Sequence, residues 1–145
     1  MWLHTNTRGF WRRLLLYDLP VLLYAGLIFW VSHHSPSSLQ KKWLTIIPDV
    51  VLHGAEYFVL ACLLFRALRI PGRLENLRQA ALVAALVAVL YGASDEIHQW
   101  FIPGRYMELK DWLADSLGAL LGATLAALFQ KRLEDRKATL NRNRH

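Results

Sequence analysis

Eleven consecutive apolar residues, Ala80 to Leu90, lie within a stretch from about Gln79 to Ser94 that has no charged side chain. A helix at a water interface needs a polar face recurring every three or four residues, and this run has none. A soluble four-helix bundle is therefore disfavoured against a helix that is apolar around its whole circumference and crosses a bilayer. Three further stretches have similar length: about Leu14 to Val31, about Val50 to Leu68 with His53 and Glu56 inside it, and about Trp112 to Phe129 with Asp115 one turn in. Crossing the hydrocarbon core takes about 20 residues. The sequence thus predicts an all-α integral membrane protein, one membrane domain with four transmembrane helices at about 14–32, 50–68, 79–97 and 112–129, followed by a basic tail over 130–145.

Composition agrees with this reading. The 145 residues are 54% apolar and 19% charged, with a mean hydropathy of +0.22, where a soluble domain carries about 25% charge. A single cysteine, Cys62, excludes a disulfide scaffold and is read as a small apolar residue. Arg8, Arg12 and Arg13 precede the first span as they would a signal peptide. Its apolar length and the poor cleavage site around Ser32–Pro36 favour a retained helix.

Charge then orients the spans. Thirteen of the 17 Lys and Arg residues fall on one side: Arg8, Arg12 and Arg13 before the first span, Arg66, Arg69, Arg73 and Arg78 around the second connection, and Lys131, Arg132, Arg136, Lys137, Arg142 and Arg144 after the fourth. Lys41, Lys42, Arg105 and Lys110 complete the count on the other side. The positive-inside rule places both termini in the cytoplasm, with about 32–49 and 97–111 outside. The formal net charge of +6 follows from that topology and from anionic lipid, so no nucleic-acid partner is expected. Membrane lipids are the expected partners.

Topology leaves a set of polar residues unexplained. On the predicted spans His53 and Glu56 lie about 5 and 10 Å below the outer surface, at 1.5 Å per residue. Ser94, Asp95, Glu96, His98 and Gln99 return to that depth on the third helix, and Asp111 and Asp115 re-enter on the fourth. Residues three or four apart share a helix face, so His53, Glu56 and Tyr57 converge, as do Glu96 with Gln99 and Asp111 with Asp115. Singly, each has a bland reading, such as interhelical hydrogen bonding or an N-cap at Asp111. Together they are expensive, since an intramembrane carboxylate costs at least about 2.5 kcal/mol on insertion scales. A shared site is the better account. Ala114, Gly118, Gly122 and Ala126 form a small-residue ridge on the fourth helix, and Ala84, Ala88 and Gly92 another on the third, so these two helices are expected to pack as the hairpin carrying the site. Trp43, Trp100, Phe101, Tyr106 and Trp112 mark the outer interface.

Three ordered segments resemble a known family. His53-x-x-x-Tyr57-x-x-Leu60, Glu96-x-x-Gln99-x-Phe101-x-Pro103-Gly104-Arg105 and Asp111-x-x-x-Asp115-x-x-Gly118-x-x-x-Gly122 together are similar to the VanZ-like family of small bacterial membrane proteins, over about residues 49–122. The resemblance carries His53, Glu96, Gln99, Arg105 and Asp111 over as the family's polar signature. The chain has Val50 where the family often has Lys after the Asp matched by Asp49, and Asp115 where it often has Asn. The family's founding member is associated with resistance to the glycopeptide antibiotic teicoplanin, so the resemblance implies an envelope-related role in a bacterial plasma (inner) membrane, with membrane lipids or lipid-linked envelope components as partners.

Two mechanisms use these residues. In the leading one, an outward-opening polar cavity recognises a cell-envelope lipid or an acylated glycopeptide. Tyr57, Asp95, His98, Gln99, Asp111 and Asp115 line it, and Arg105 clamps a phosphate or carboxylate in bidentate fashion. The alternative is a membrane-embedded hydrolase or transferase acting on a lipid-linked substrate, with His53 or Glu96 as general base and Glu56 or Asp115 as acid. Transport fits less well, because the groups lie toward one surface rather than at the midplane. The H-E-x-x-H spacing is absent, so neither metal nor cofactor is expected.

Overall fold

The computed structural model describes residues 7–34, 48–70 and 73–143. Lys41, Lys42, Trp43 and Arg144 lie outside the described residues, as does the side chain of Arg8. All regular structure in the described residues is helical, and four helices are long and apolar enough to cross a membrane.

The first of these begins as α1 (Thr7–Arg13), widens into a π-helical segment (Leu14–Asp18) and continues as α2 (Leu19–His33). Pro20 accounts for the irregularity. It has no N–H to give the carbonyl four residues back, Leu16, and its ring crowds that turn. The Arg66 guanidinium from the next helix donates to the Leu16 carbonyl and lies over the Tyr17 ring, 4.9 Å from its centroid. A bilayer offers no water for an unpaired carbonyl, so a side chain must supply the donor. One turn further on, Arg73 holds both oxygens of Asp18, at 2.7 and 2.8 Å. The charge that interrupts the first apolar stretch is thus neutralised by the connection between the second and third spans.

The other three spans, α3 (Asp49–Leu68), α4 (Leu77–Trp100) and α5 (Leu109–Arg142), form the packed core. Tyr57, Leu60, Ala61 and Phe65 from α3 meet Ala80, Ala84 and Ala88 from α4 and Ala119 and Ala123 from α5. α2 lies at the periphery with Leu22, Leu23, Leu27 and Trp30 exposed, as expected of side chains facing lipid. Asn76 starts α4 by accepting from the backbone N–H groups of Arg78 and Gln79, satisfying two donors that a helix start leaves free. α5 extends well past its apolar part, so the basic tail is its exposed continuation to Arg142.

The small-residue ridge on α5 serves a different neighbour from the one expected. A Cβ at Gly118 would lie 2.0 Å from the Gly54 carbonyl oxygen, and one at Gly122 would lie 2.3 Å from that of Phe58. Both contacts are with α3, and the α3–α5 pair is the most extensive among the described helices. The α4 ridge is buried too, but at Gly92 its neighbours are the side chains of Asp115 and Tyr57. Sequence spacing identifies a ridge that permits close approach, but not which helix fills it.

Candidate functional site

The N-terminal turns of α3 and α5 and the C-terminal turns of α4 meet at one end of the core, and the polar residues of the three helices meet there. His53 and Tyr57, one turn apart on α3, both turn inward. The His53 Nδ1 donates to Asp115 Oδ1 at 3.1 Å, which places a proton on Nδ1 because an ionised carboxylate can only accept. The other ring nitrogen, Nε2, faces Asp111 Oδ2 at 4.0 Å, too far for a hydrogen bond. Asp111 is therefore part of the layer, while the N-cap position of α5 belongs to Glu108. Glu96, Asp115 and Tyr57 are 1%, 0% and 0% exposed, so all three side chains are cut off from solvent.

A second group joins this one through α4. Gln99 donates to Asp95 Oδ2 at 3.1 Å and, weakly, to Glu96 Oε1 at 3.5 Å. The other Glu96 oxygen accepts from the backbone N–H of Glu108 at 2.9 Å. Gly92 makes room for the whole arrangement, since a Cβ there would lie 3.2 Å from both Asp115 Oδ2 and Tyr57 Cε1. The layer remains incompletely satisfied, because Tyr57 Oη, Asp111 Oδ1 and Asp115 Oδ2 are buried without a hydrogen-bond partner among the described residues. Each such atom carries a desolvation cost of about 1–3 kcal/mol.

Two expected members stand apart. His98 turns toward the first span, with Nε2 3.2 Å from His33 Nδ1 and its ring stacked on Phe29 at 4.6 Å. Glu56 is half-buried and makes no hydrogen bond or ion pair among the described residues. Asp49, absent from the expected site, does belong here. It stands one turn before His53, and ligand atoms of Asp49, His53 and Asp111 lie within 4.8 Å of one another. The signal was available in the i, i+4 spacing, but an acidic residue at a helix start has a simpler explanation in the helix dipole.

Arg105 is brought over the mouth of the helices by a tight turn. Its N–H donates to the Ile102 carbonyl at 3.1 Å across Pro103-Gly104, with Gly104 at φ 84°, a conformation that favours glycine. The guanidinium is then largely occupied. Nη2 donates to the carbonyls of Val31 and His34 at 3.0 and 2.9 Å, and Nη1 reaches Gln99 Oε1 at 3.4 Å. It thus ties the first span to α4 by donating to two carbonyls at the end of α2, one of which, Val31, also accepts from the His34 N–H. Arg105→Ala is expected to lower the melting temperature in detergent, by the equivalent of about 1–3 kcal/mol, and to speed hydrogen exchange across 101–108. Exchange as slow as in the wild type would remove the clasp.

The interfacial aromatics behave unequally. Trp100, Phe101 and Tyr106 are exposed, while Trp112 points its indole N–H at the Val89 carbonyl, 3.3 Å away. At the opposite end of the bundle a groove of about 530 Å³, lined by Leu16, Tyr17, Cys62, Phe65 and Phe129 with Arg66, Arg69 and Gln130, shares no residue with the polar layer.

A sequence model of one protein family, VanZ/LLP1, matches residues 16–130. The chain belongs to the VanZ/LLP1 family. No curated protein and no solved structure matches it significantly. The VanZ/LLP1 match takes in most of the first apolar span, the apolar parts of the other three and every residue of the polar layer, so that layer is part of the family's domain rather than an appendage to it.

Proposed function

We propose that this VanZ/LLP1 protein lies in the bacterial plasma membrane with both termini in the cytoplasm, and that its polar layer, on the outer side, binds the head group of a cell-envelope amphiphile. The uneven distribution of Lys and Arg supports the orientation. The observation that carries the head-group reading is the set of buried, unpartnered atoms Tyr57 Oη, Asp111 Oδ1 and Asp115 Oδ2. Two of them only accept when ionised, and the third can donate or accept. Such a set suits a ligand rich in O–H and N–H groups, the sugar or amino portion of a lipid-linked wall component or of an acylated glycopeptide. In this reading Arg105 organises the entrance through its bonds to Val31 and His34 instead of gripping a phosphate directly. The exposed apolar faces of α2 and α4 would hold the acyl chain.

One feature favours the enzymatic alternative. Asp115 orients His53 through Nδ1 and leaves Nε2 facing Asp111 without a hydrogen bond, the relation by which a carboxylate prepares an imidazole to act as general base. Lipid mass spectrometry on cells with wild-type protein, Glu96→Gln protein or no protein distinguishes the two. An unchanged sugar-bearing envelope lipid that co-purifies with the wild type and is lost with Glu96→Gln supports binding. Accumulation of one envelope lipid in both deficient strains supports catalysis. If the protein is present in the membrane but no lipid co-purifies and none accumulates, the proposal is overturned.

A further inference from the structure

We propose that Asp49, His53 and Asp111 form a binding site for a divalent transition-metal ion at the outer edge of the polar layer. The carboxylates of Asp49, Glu96, Asp111 and Asp115 surround one imidazole, and among the described residues no Lys or Arg makes an ion pair with any of them: Lys110 is bound to Glu108 at 2.6 Å, and Arg105 to carbonyls and Gln99. Buried carboxylates without a counter-charge are costly, and a cation offsets that cost.

Geometry selects the place. His53 donates Nδ1–H to Asp115, the arrangement in which a carboxylate fixes the ring of a metal-binding histidine and leaves the other nitrogen free. That nitrogen, Nε2, faces Asp111 across 4.0 Å. The gap is too wide for a hydrogen bond, whereas an ion with bonds of about 2.0–2.2 Å to each atom spans up to about 4.2 Å. The second Asp111 oxygen is buried with no partner, on a residue only 6% exposed. Asp49 supplies a third ligand from one turn earlier on α3, with all ligand atoms within 4.8 Å of one another. Because Asp49 is exposed, its side chain can close the remaining few tenths of an ångström and the ion has a route in. One imidazole with two carboxylates suits Zn2+ or a neighbouring first-row ion, and three protein ligands leave a coordination position open. The H-E-x-x-H pattern requires two histidines on one helix, whereas this set is divided between two helices and so escapes it.

The site shares His53 and Asp111 with the proposed head-group layer but does not depend on it, and a titration without lipid keeps the two separate. Purified protein in detergent is dialysed against Zn2+, the bound metal is counted, and melting is followed in Zn2+ and in chelator. His33→Ala serves as a control because the His33–His98 pair could itself bind zinc. The expected result is one tightly bound ion per chain and a Zn2+-dependent rise in melting temperature, both retained in His33→Ala. Asp49→Asn and Asp111→Asn should each weaken binding roughly tenfold or more. Should Asp111→Asn not fold, the exposed Asp49→Asn carries the test. Absence of stoichiometric binding, loss of the ion in His33→Ala, or undiminished affinity in Asp49→Asn would overturn the site.

Discussion

Gly118→Val is expected to be the most damaging single substitution in the transmembrane core. Even the first carbon of a side chain at this position would sit 2.0 Å from the Gly54 carbonyl oxygen and 2.9 Å from its Cα. Backbone cannot rotate aside as a flexible side chain can, so α3 and α5 must separate along their contact. Overpacking usually costs about 1–3 kcal/mol, and here the displacement also loosens the contacts around Phe58, Cys62 and Gly122 further along the same interface. A loss of at least about 3 kcal/mol is therefore expected. Two other glycines make the prediction discriminating. Gly26 on α2 has nothing within 4 Å of its prospective Cβ, and a Cβ at Gly54 would meet only the Ala114 carbonyl at 3.4 Å, ordinary contact. Gly26→Ala and Gly54→Ala should stay within a few tenths to about 1 kcal/mol of the wild type. Chemical or thermal unfolding in detergent checks all three, and a Gly118→Val protein as stable as Gly26→Ala would refute the packing.

The same contact shows how far sequence reasoning reaches. Apolar runs without a polar stripe, such as Ala80–Leu90, lead to spans, because the requirement they violate is set by water and not by a partner helix. Depth also translates directly, at 1.5 Å per residue, which is why His53, Glu96, Asp111 and Asp115 could be assigned to one layer before any fold was known. Azimuth is harder. Whether Gly118 faces α3 or α4, whether His98 joins His53 or turns to His33 and Phe29, and whether Arg105 points into the layer or toward Val31 all depend on the rotation of packed helices about their axes. Local spacing does not fix that rotation. The π segment at Leu14–Asp18 is intermediate, since Pro20 signals a disturbed turn but not the identity of Arg66 as the donor that repairs it.

His53→Leu is expected to show the second large effect. Asp115 is fully buried, and its hydrogen bond to the imidazole is the only one its carboxylate makes among the described residues. Removing the imidazole leaves both Asp115 oxygens unpartnered, and breaking one side of a buried charged pair typically costs about 3–5 kcal/mol. The ordering of variants is the sharper expectation. His53→Leu/Asp115→Leu removes both partners and exchanges an orphaned charge for apolar volume, so it should be more stable than His53→Leu alone, even though it carries one substitution more. Asp115→Asn should be milder than His53→Leu, because an amide retains a hydrogen-bonding oxygen for Nδ1–H and removes one acid from a cluster that already has too many. A double-mutant cycle on unfolding free energies in detergent measures the coupling. If His53→Leu and Asp115→Leu prove additive, the imidazole and the carboxylate do not stabilise one another, and the layer must then be satisfied by contacts other than the 3.1 Å bond that joins α3 to α5.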